Sequence, residues 1–492
     1  PFHAKFSVGH DAEGRLLAVH VELTSDGGWS LDLSQPILDR ALFHLDNAYY
    51  LPAVHFTGRV AKTNTVSHTA FRGFGGPQGM LVIEEIVARV ARACGLAPEV
   101  VRERNLYHGT GETNRTHYHE DLGDNRLPAI WAQAKTEAKF AERRREIEAW
   151  HAAHLPVKRG LAITPVKFGI SFTLTHLNQA GALVHVYQDG SIALNHGGTE
   201  MGQGLNTKMA QVCADGLGID LSYVRVTGTD TQKVPNASAT SASSGADING
   251  AAIMNATAQM RARLAPVAAN MLGCKDTEVN FANNMAHGGG KSVEWTAVAK
   301  QAWMDRVGLS VAGFYMTPEI KYDFLTLTGH AFYYYCYGAS VSEVEIDTRT
   351  GEYWVKAVDI VHDAGKSINP AIDKGQIEGG YVQGMGWLTM EECIWDKKGK
   401  FLTHGPSTYK IPVAGDIPEH FNVTLFDGSN LKPTPFNSKA VGEPPLMLAL
   451  STFFALRDAV SASADHQTVV HMSAPATPEK ILMSCEKAKA AV

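Results

Sequence analysis

Strand-period and helix-period segments follow one another along this chain without a regular β–α–β order, and this irregular mixture restricts the fold more than any other feature. Residues 2–8 and 17–23 alternate apolar and polar side chains around a turn at 11–14, which predicts a hairpin. Residues 181–187 and 191–195 do the same around Asp189-Gly190, and 342–347 pairs with 353–361 across Thr350-Gly351. Residues 79–95 read as a helix, with Leu81, Val82, Ile83, Ile86, Val87 and Val90 on a broad apolar face. Further helices are predicted at 204–217, at 247–271 with Asp247 as N-cap, at 371–384 after Asn369-Pro370, and from Pro444-Pro445 to about Ser463. Mixed elements without strict alternation predict an α+β fold.

With 492 residues the chain is too long for one hydrophobic core. The charged stretch 130–151, ending near Pro156, reads as a solvated connector helix and places a boundary between domains 1–150 and 151–492. The expected architecture is two elongated mixed domains with a ligand at their interface. A polar run from Gly109 to Arg126 reads as a surface loop, and the Lys/Ala-rich C-terminal end as frayed. Residue 1 is proline and strand alternation starts at once, so the chain is expected to enter mid-domain as part of a longer polypeptide.

A net charge of -6, with no basic run interleaved with aromatics, argues against a nucleic-acid partner. The most apolar segment, 446–456, is shorter than the roughly 18 residues of a membrane span, so no membrane partner is expected. Six scattered cysteines (Cys94, Cys213, Cys274, Cys336, Cys393 and Cys485), with no Cys-x-x-Cys pair, read as reduced thiols of a cytoplasmic protein. They offer no frame for a structural zinc or iron–sulfur cluster. Gly288-Gly-Gly-Lys-Ser292 imitates a phosphate loop but has Met285 at the required first glycine, and reads as a surface turn. His117-Tyr-His119 reads as solvent-facing. Gly73-Phe74-Gly75-Gly76 lacks dinucleotide-binding spacing.

Four segments combine glycine with a few polar or aromatic side chains outside any regular period. In Thr69-Ala-Phe71-Arg72-Gly73-Phe74-Gly75-Gly76-Pro77-Gln78, glycines beside Phe74 let the backbone approach a ligand, although a plain glycine turn with core phenylalanines would look the same. Gly197-Gly-Thr-Glu-Met-Gly-Gln-Gly204 lies between strand and helix, where backbone amides can hold an anion and Gln203 adds an amide. A tight turn with a glycine cap is the alternative. The small-residue run 235–247 reads alone as a linker, or as a loop kept small for a phosphate tail. In Lys439-Ala-Val-Gly-Glu443-Pro-Pro445, the proline after Glu443 predicts extended backbone and a fixed carboxylate, a candidate general base. A capping glutamate is the bland alternative.

Together these four segments resemble the molybdenum hydroxylase family, within it the xanthine dehydrogenase/xanthine oxidase type. The resemblance runs along essentially the whole chain, including Lys167-Phe-Gly-Ile-Ser-Phe-Thr173, Leu177-Asn-Gln-Ala-Gly-Ala-Leu-Val-His-Val-Tyr187, Pro406-Ser-Thr-Tyr-Lys-Ile-Pro412 and Ala474-Pro-Ala-Thr-Pro-Glu-Lys480. It implies molybdenum-dependent hydroxylation of purines (hypoxanthine and xanthine to urate). Glu443 matches the glutamate that deprotonates Mo–OH for attack on a ring carbon, with hydride passing to the sulfido ligand. Arg40, in Asp39-Arg-Ala-Leu-Phe-His-Leu-Asp46, matches the arginine at a purine carbonyl oxygen. Phe74 and Phe172 match the rings that sandwich the heterocycle, Thr173 a hydroxyl near a substrate oxygen, and Leu33 and Leu177 the mouth of the site, with Ala242 also near substrate.

For the molybdopterin cofactor, the matching positions are Arg72, Met201, Gly202, Gln203, Ala242, Ser243, Ser244 and Gln376. No side chain ligates molybdenum in this family, where the pterin dithiolene holds the metal. The resemblance also implies FAD and 2Fe-2S clusters on other segments or subunits, NAD or oxygen as acceptor, and a dimer of the full assembly. Two departures stand out. The family's upstream glycine-rich loop, with a second glutamate, has no match here and would lie before Pro1. Gly245 and Ala246 stand where relatives often have hydroxyl residues. The nearest rival is an aldehyde-oxidase-like enzyme with the same chemistry, against which Arg40 and Gly76-Pro77 favour a purine. A non-catalytic scaffold subunit is the rival from another class, disfavoured by a positioned base.

Overall fold

The computed structural model describes residues 1–153 and 156–491. Its centre is a four-stranded sheet in the order His420–Leu425, Tyr353–His362, Tyr334–Asp347, Val157–Ile170. The last two strands run antiparallel, with Tyr334 opposite Ile170 and Asp347 opposite Val157. Both are buried along nearly their whole length because each face of the sheet is covered. Period-2 alternation splits their side chains between two cores. Leu161, Ile163, Tyr335, Tyr337, Ala339 and Val341 face one core, while Ala162, Val166, Phe168, Ile170, Tyr334 and Cys336 face the other.

The first core is closed by the sheet Phe2–His10, Leu16–Gly28, Val54–Lys62 and by the helices Ser34–Phe43 and Gly76–Cys94. It draws side chains from residues on both sides of position 150. The second is closed by the helices Pro370–Thr389, Pro444–Leu448 and Leu450–Ala462. The stretch Pro444–Ala462 has the length and apolarity of a membrane span, and 89% of it is buried inside the protein. A third core packs the helices Leu205–Leu217 and Gly245–Leu272 on a sheet ordered Ser310–Met316, Gln179–Val186, Ile192–His196, Val224–Val226. The α+β expectation and all three hairpins are observed.

Several local expectations are corrected. The stretch 130–151 is two helices, Leu127–Glu137 and Phe140–Ala153, broken where Lys139 takes a φ of 49°. It is no solvated connector: Ile130, Trp131, Ala134, Phe140 and Ile147 are buried in the first core, which its high charge count concealed. Its run toward Pro156 passes outside the described residues. The C-terminal end forms the helix Pro478–Ala490, capped by the Thr477 side chain and docked through Ile481, Cys485 and Ala488. Asp247 is not an N-cap, because the helix starts earlier at Gly245 with Ser244 as cap. His117 is not solvent-facing either; its side chain is 10% exposed and lies 3.5 Å from the Asp46 carboxylate. The glycines after Met285 form a hairpin turn between short strands.

Candidate active site

The four glycine-bearing segments meet beyond the end of the central sheet where Val157–Ile170 finishes and Tyr334–Asp347 begins. Glu443 is the point of closure. Its carboxylate is buried, and both oxygens accept hydrogen bonds, Oε1 from the Gly73 amide at 3.3 Å and Oε2 from the Ser243 hydroxyl at 3.0 Å. The same hydroxyl accepts from the Glu443 amide at 2.7 Å. The guanidiniums of Arg40 and Arg72 both feel the Glu443 charge: burial lowers their pKa and the carboxylate acts to raise it.

The expected extended backbone at Glu443 is corrected: φ is -85° and ψ -41°, helical despite the following proline. Clashes with the proline ring disfavour that conformation. The hydrogen bonds to Ser243 and Gly73, and the 2.6 Å bond from Arg72 Nε to the Gly442 carbonyl, hold it in place. On the other side of the loop, Ala242 and Ser243 take φ values of 55° and 58°, so the small-residue run is a shaped turn and not a slack linker.

Arg72 joins the segments. Besides Gly442, it donates from Nη1 to the Gln383 side chain at 3.1 Å and from Nη2 to the Gln376 carbonyl at 3.4 Å, both on the Pro370–Thr389 helix. The first turn of that helix touches the second glycine segment, since a Cβ on Gly204 would meet Ile372 at 2.8 Å. That segment meets the small-residue loop through the Thr199 amide, 2.8 Å from Thr240 Oγ1. Phe/Arg turn, long helix, glycine loop, small-residue loop and base segment thus form a closed ring.

The glycine loop corrects one expectation. Its amides already hold an anion, and it is the chain's own: the Glu200 carboxylate accepts from the amides of Gly202, Gly204 and Asn206 at 2.8, 3.0 and 2.8 Å. Burial is the largest single influence and pushes the Glu200 carboxyl up, but the backbone bonds together draw it below its usual range. Gln203 folds back on its own loop, accepting from the Met201 amide and donating to the Thr199 carbonyl. Met201 is 66% exposed at the rim.

Arg40 is buried in the Ser34–Phe43 helix, its guanidinium over the rings of Phe168 and Phe332. Nη1 donates to the Ser171 carbonyl at 2.9 Å and Nη2 to the Gly169 carbonyl at 2.6 Å, which fixes the strand end from which Phe172 and Thr173 project. Two of five N–H donors are used, and Nε has no partner. Asn178 clamps the next turn by accepting from the Phe172 amide and donating to its carbonyl, and Tyr322 donates to the Thr173 carbonyl at 2.8 Å. Leu177 ends that turn, half-buried, and Leu33, 39% exposed, precedes the Arg40 helix. Phe74, with φ of 50°, lies between Gly73 and Gly75, and Gly75 packs directly on this helix.

A Cβ at Gly75 would stand 2.0 Å from the Ile37 carbonyl oxygen, and its φ of 95° is left-handed. Gly75→Ala is therefore expected to cost about 1–3 kcal/mol of stability and to shift the Gly73–Gly75 turn, with Phe74 on it, relative to the Ser34–Phe43 helix. A thermal melt together with substrate KM checks this, both worsening.

The structure bonds Arg72 to the Gln376 backbone and Ser243 to Glu443, links the two pairs through the backbone of Gly442 and Gly73, and places Arg40, Phe172 and Thr173 in a second group. Sequence reading missed Gln383, Glu200 and Asn178. Gln383 was accessible, because it lies seven residues after Gln376 on one helical face. Glu200 and Asn178 act on backbone a few residues away and carry no such period.

The site suits a flat, polar cofactor. Gly202, Gly375 and Gly379 each face open space, with no atom within 4 Å of where a Cβ would stand. Backbone beside Gln376 and the glycine loop can therefore be approached closely. Hydroxyls of Ser243 and Ser244 and the amides of Gln203, Gln376 and Gln383 offer the neutral donors and acceptors that a pterin ring needs.

Comparison with known proteins agrees. Molybdopterin cofactor-binding domain families match residues 1–106 and 133–418. Xanthine dehydrogenase/oxidase of Felis catus is 46% identical over 99% of this chain, and xanthine dehydrogenase 1 of Arabidopsis thaliana 44% over 98%. The chain spans 35% of the length of each. Among solved structures, quinoline 2-oxidoreductase from Pseudomonas putida 86 shares the fold with a TM-score of 0.86 at 23% identity, over 99% of this chain and 62% of that one. Aldehyde oxidoreductase from Desulfovibrio desulfuricans does so with 0.80 at 23%, over 98% and 49%. The chain belongs to the molybdenum hydroxylase family and corresponds to a molybdopterin-binding portion of its xanthine dehydrogenase/oxidase members.

Proposed function

We propose that this chain carries the base, the substrate clamp and much of the cofactor cradle of a purine hydroxylase that converts hypoxanthine and xanthine to urate. The observation that carries the reading is the Glu443 carboxylate, buried where four segments close, with both oxygens hydrogen-bonded and two arginines within electrostatic reach. When bound, the molybdenum cofactor supplies the oxygen-transfer and two-electron chemistry. Glu443 takes up a proton on its carboxylate, and Ser243 and the Gly73 amide keep that carboxylate aimed. Arg40 offers its remaining N–H groups to a purine oxygen on which negative charge builds, an interaction that strengthens in a dry pocket. Phe74 and Phe172 hold the ring plane and exclude water. Arg72, Gln203, Ser243, Ser244 and Gln376 hold the cofactor, with Met201, Gly202 and Ala242 beside it.

Electrons leave through 2Fe-2S clusters and FAD on the part of the relatives' length that this chain does not span, and the whole enzyme is a cytoplasmic dimer. The division into two cofactor-binding domains falls near residue 150 in this reading, with the first core bridging them. The test is a substrate panel on the intact protein, expected to turn over xanthine and hypoxanthine in preference to aldehydes; the reverse order rejects a purine. Arg40→Met is expected to lower purine turnover about 10²-fold and spare aldehydes. It also strands the carbonyls of Gly169 and Ser171, so a melting curve belongs with the assay, and equal loss on both substrate classes counts against a role at the purine oxygen.

A further inference from the structure

The segment that delivers Glu443 leaves the regular ladder just before it reaches the site. Gly365 and Ser438 form an isolated bridge, and the Lys439 amide donates to the Ala364 carbonyl at 2.7 Å. The buried Lys439 ammonium lies 2.6 Å from Asp363, so the start of the segment is pinned. From Ala440 to the Glu443 amide, the bonds come from side chains. The Ala440 carbonyl accepts from the Cys336 thiol and its amide donates to the Tyr334 phenol at 3.0 Å. Arg72 takes the Gly442 carbonyl and Ser243 the Glu443 amide.

Tyr334 is the unusual member. Its phenol accepts from Ala440 and donates to Asp247 Oδ2 at 2.6 Å, and both side chains are buried. Asp247 lies in the first turn of the Gly245–Leu272 helix, and Ser243 directly precedes its cap, Ser244. One helix start therefore grips the base segment twice, at Glu443 through Ser243 and at Ala440 through Asp247 and Tyr334. The Glu443 carboxylate takes its bonds from Gly73 and Ser243, and neither Asp247 nor Tyr334 holds substrate or cofactor in the proposed reaction.

We infer that Tyr334, oriented by Asp247, is a positioning residue for Glu443: by holding the Ala440 amide it sets where the carboxylate stands. This rests on reading Glu443 as the base. Burial pushes the Asp247 carboxyl up to about 7, against the pull of the Tyr334 hydroxyl and the Lys208 ammonium. Lys208 is itself paired with Asp373, and Tyr315, Tyr333 and Cys336 also feel the Asp247 charge. Above neutrality the ionised carboxylate commits the phenol's proton, and the phenolic oxygen becomes a stronger acceptor for Ala440. Below it, that polarisation is lost. The device links proton occupancy on a buried acid to the placement of the base four residues beyond Lys439.

The test uses the full-length, cofactor-loaded enzyme and compares Tyr334→Phe, Asp247→Asn and Glu443→Gln, with cofactor content and melting temperature measured on each. Tyr334→Phe is expected to lower kcat by roughly 10–100-fold, the scale of a base displaced by about an ångström, with KM changed less than about twofold and cofactor retained. Asp247→Asn is expected to remove an inflection near neutral pH from the kcat profile. Wild-type kcat in Tyr334→Phe, or a loss matched by equal loss of cofactor, overturns the inference, as does an unchanged pH profile in Asp247→Asn. If Glu443→Gln is inactive while Tyr334→Phe is not, only the positioning role fails. If Glu443→Gln turns over normally, the base assignment fails first and the positioning role with it.

Discussion

Glu443→Ala in the cofactor-loaded protein is expected to cut turnover by about 10²–10⁴-fold or more while purine binding survives. The size follows from the site's construction. The carboxylate is buried, its two oxygens take bonds from Gly73 and Ser243, and among the described residues no other acid is hydrogen-bonded to that pair. Among the described side chains bonded at this point, Arg72, Gln376, Gln383 and Ser243 are donors or neutral amides, so removing Glu443 leaves none of them to take up its proton. Purine contacts assigned to Arg40, Phe74 and Phe172 lie on the Ser34–Phe43 helix, the Gly73–Gly75 turn and the end of the Val157–Ile170 strand, so affinity should change little. The measurement is kcat and substrate Kd on the same preparation. Unchanged kcat refutes the assignment.

The largest stability effect is expected from Lys167→Met. The Lys167 ammonium is fully buried, 3.0 Å from the equally buried Asp46, and sits 4.9 Å from the centre of the Tyr335 ring. Tyr107 also donates to Asp46 at 2.7 Å. Removing the cation leaves a buried carboxylate without its counter-charge, which typically costs about 3–5 kcal/mol. The pair ties the region after the Arg40 helix to the strand that carries Gly169 and Ser171, so purine affinity should fall with it. Asp46→Asn combined with Lys167→Met should recover part of the loss, because no orphan charge remains. The pH dependence has a definite sign. Burial pushes the Asp46 carboxyl up, but Lys167, His117 and Tyr107 bring it down to about 2. With an unfolded value near 3.9, this stabilisation is fully present above about pH 4 and is lost as pH falls toward 2. Acid melts of wild type and variant should therefore converge.

Some of this was readable in the residues alone. Hairpins at Asp189-Gly190 and Thr350-Gly351 follow from turn chemistry, and the Pro370–Thr389 helix from Asn369 and Pro370, because such signals are local. The four glycine segments announced themselves by breaking period, and the structure joins them. What stayed hidden depends on distant partners. Charge count made the 130–151 region look solvated, although Ile130, Trp131, Ala134, Ala138, Phe140 and Ile147 face the core. The helical backbone of Glu443 is imposed by Ser243, two hundred residues away, against the local preference of a residue before proline. Asp46 and Lys167 each fall in a motif quoted for the resemblance, but only folding shows that they pair.

The most direct test is a structure of the cofactor-loaded protein with a slow purine substrate. It should show the heterocycle between Phe74 and Phe172, an oxygen on Arg40, and the reacting carbon on the side of the Glu443 carboxylate. A purine bound elsewhere, or lying in that slot with Glu443 turned away from it, would contradict the account.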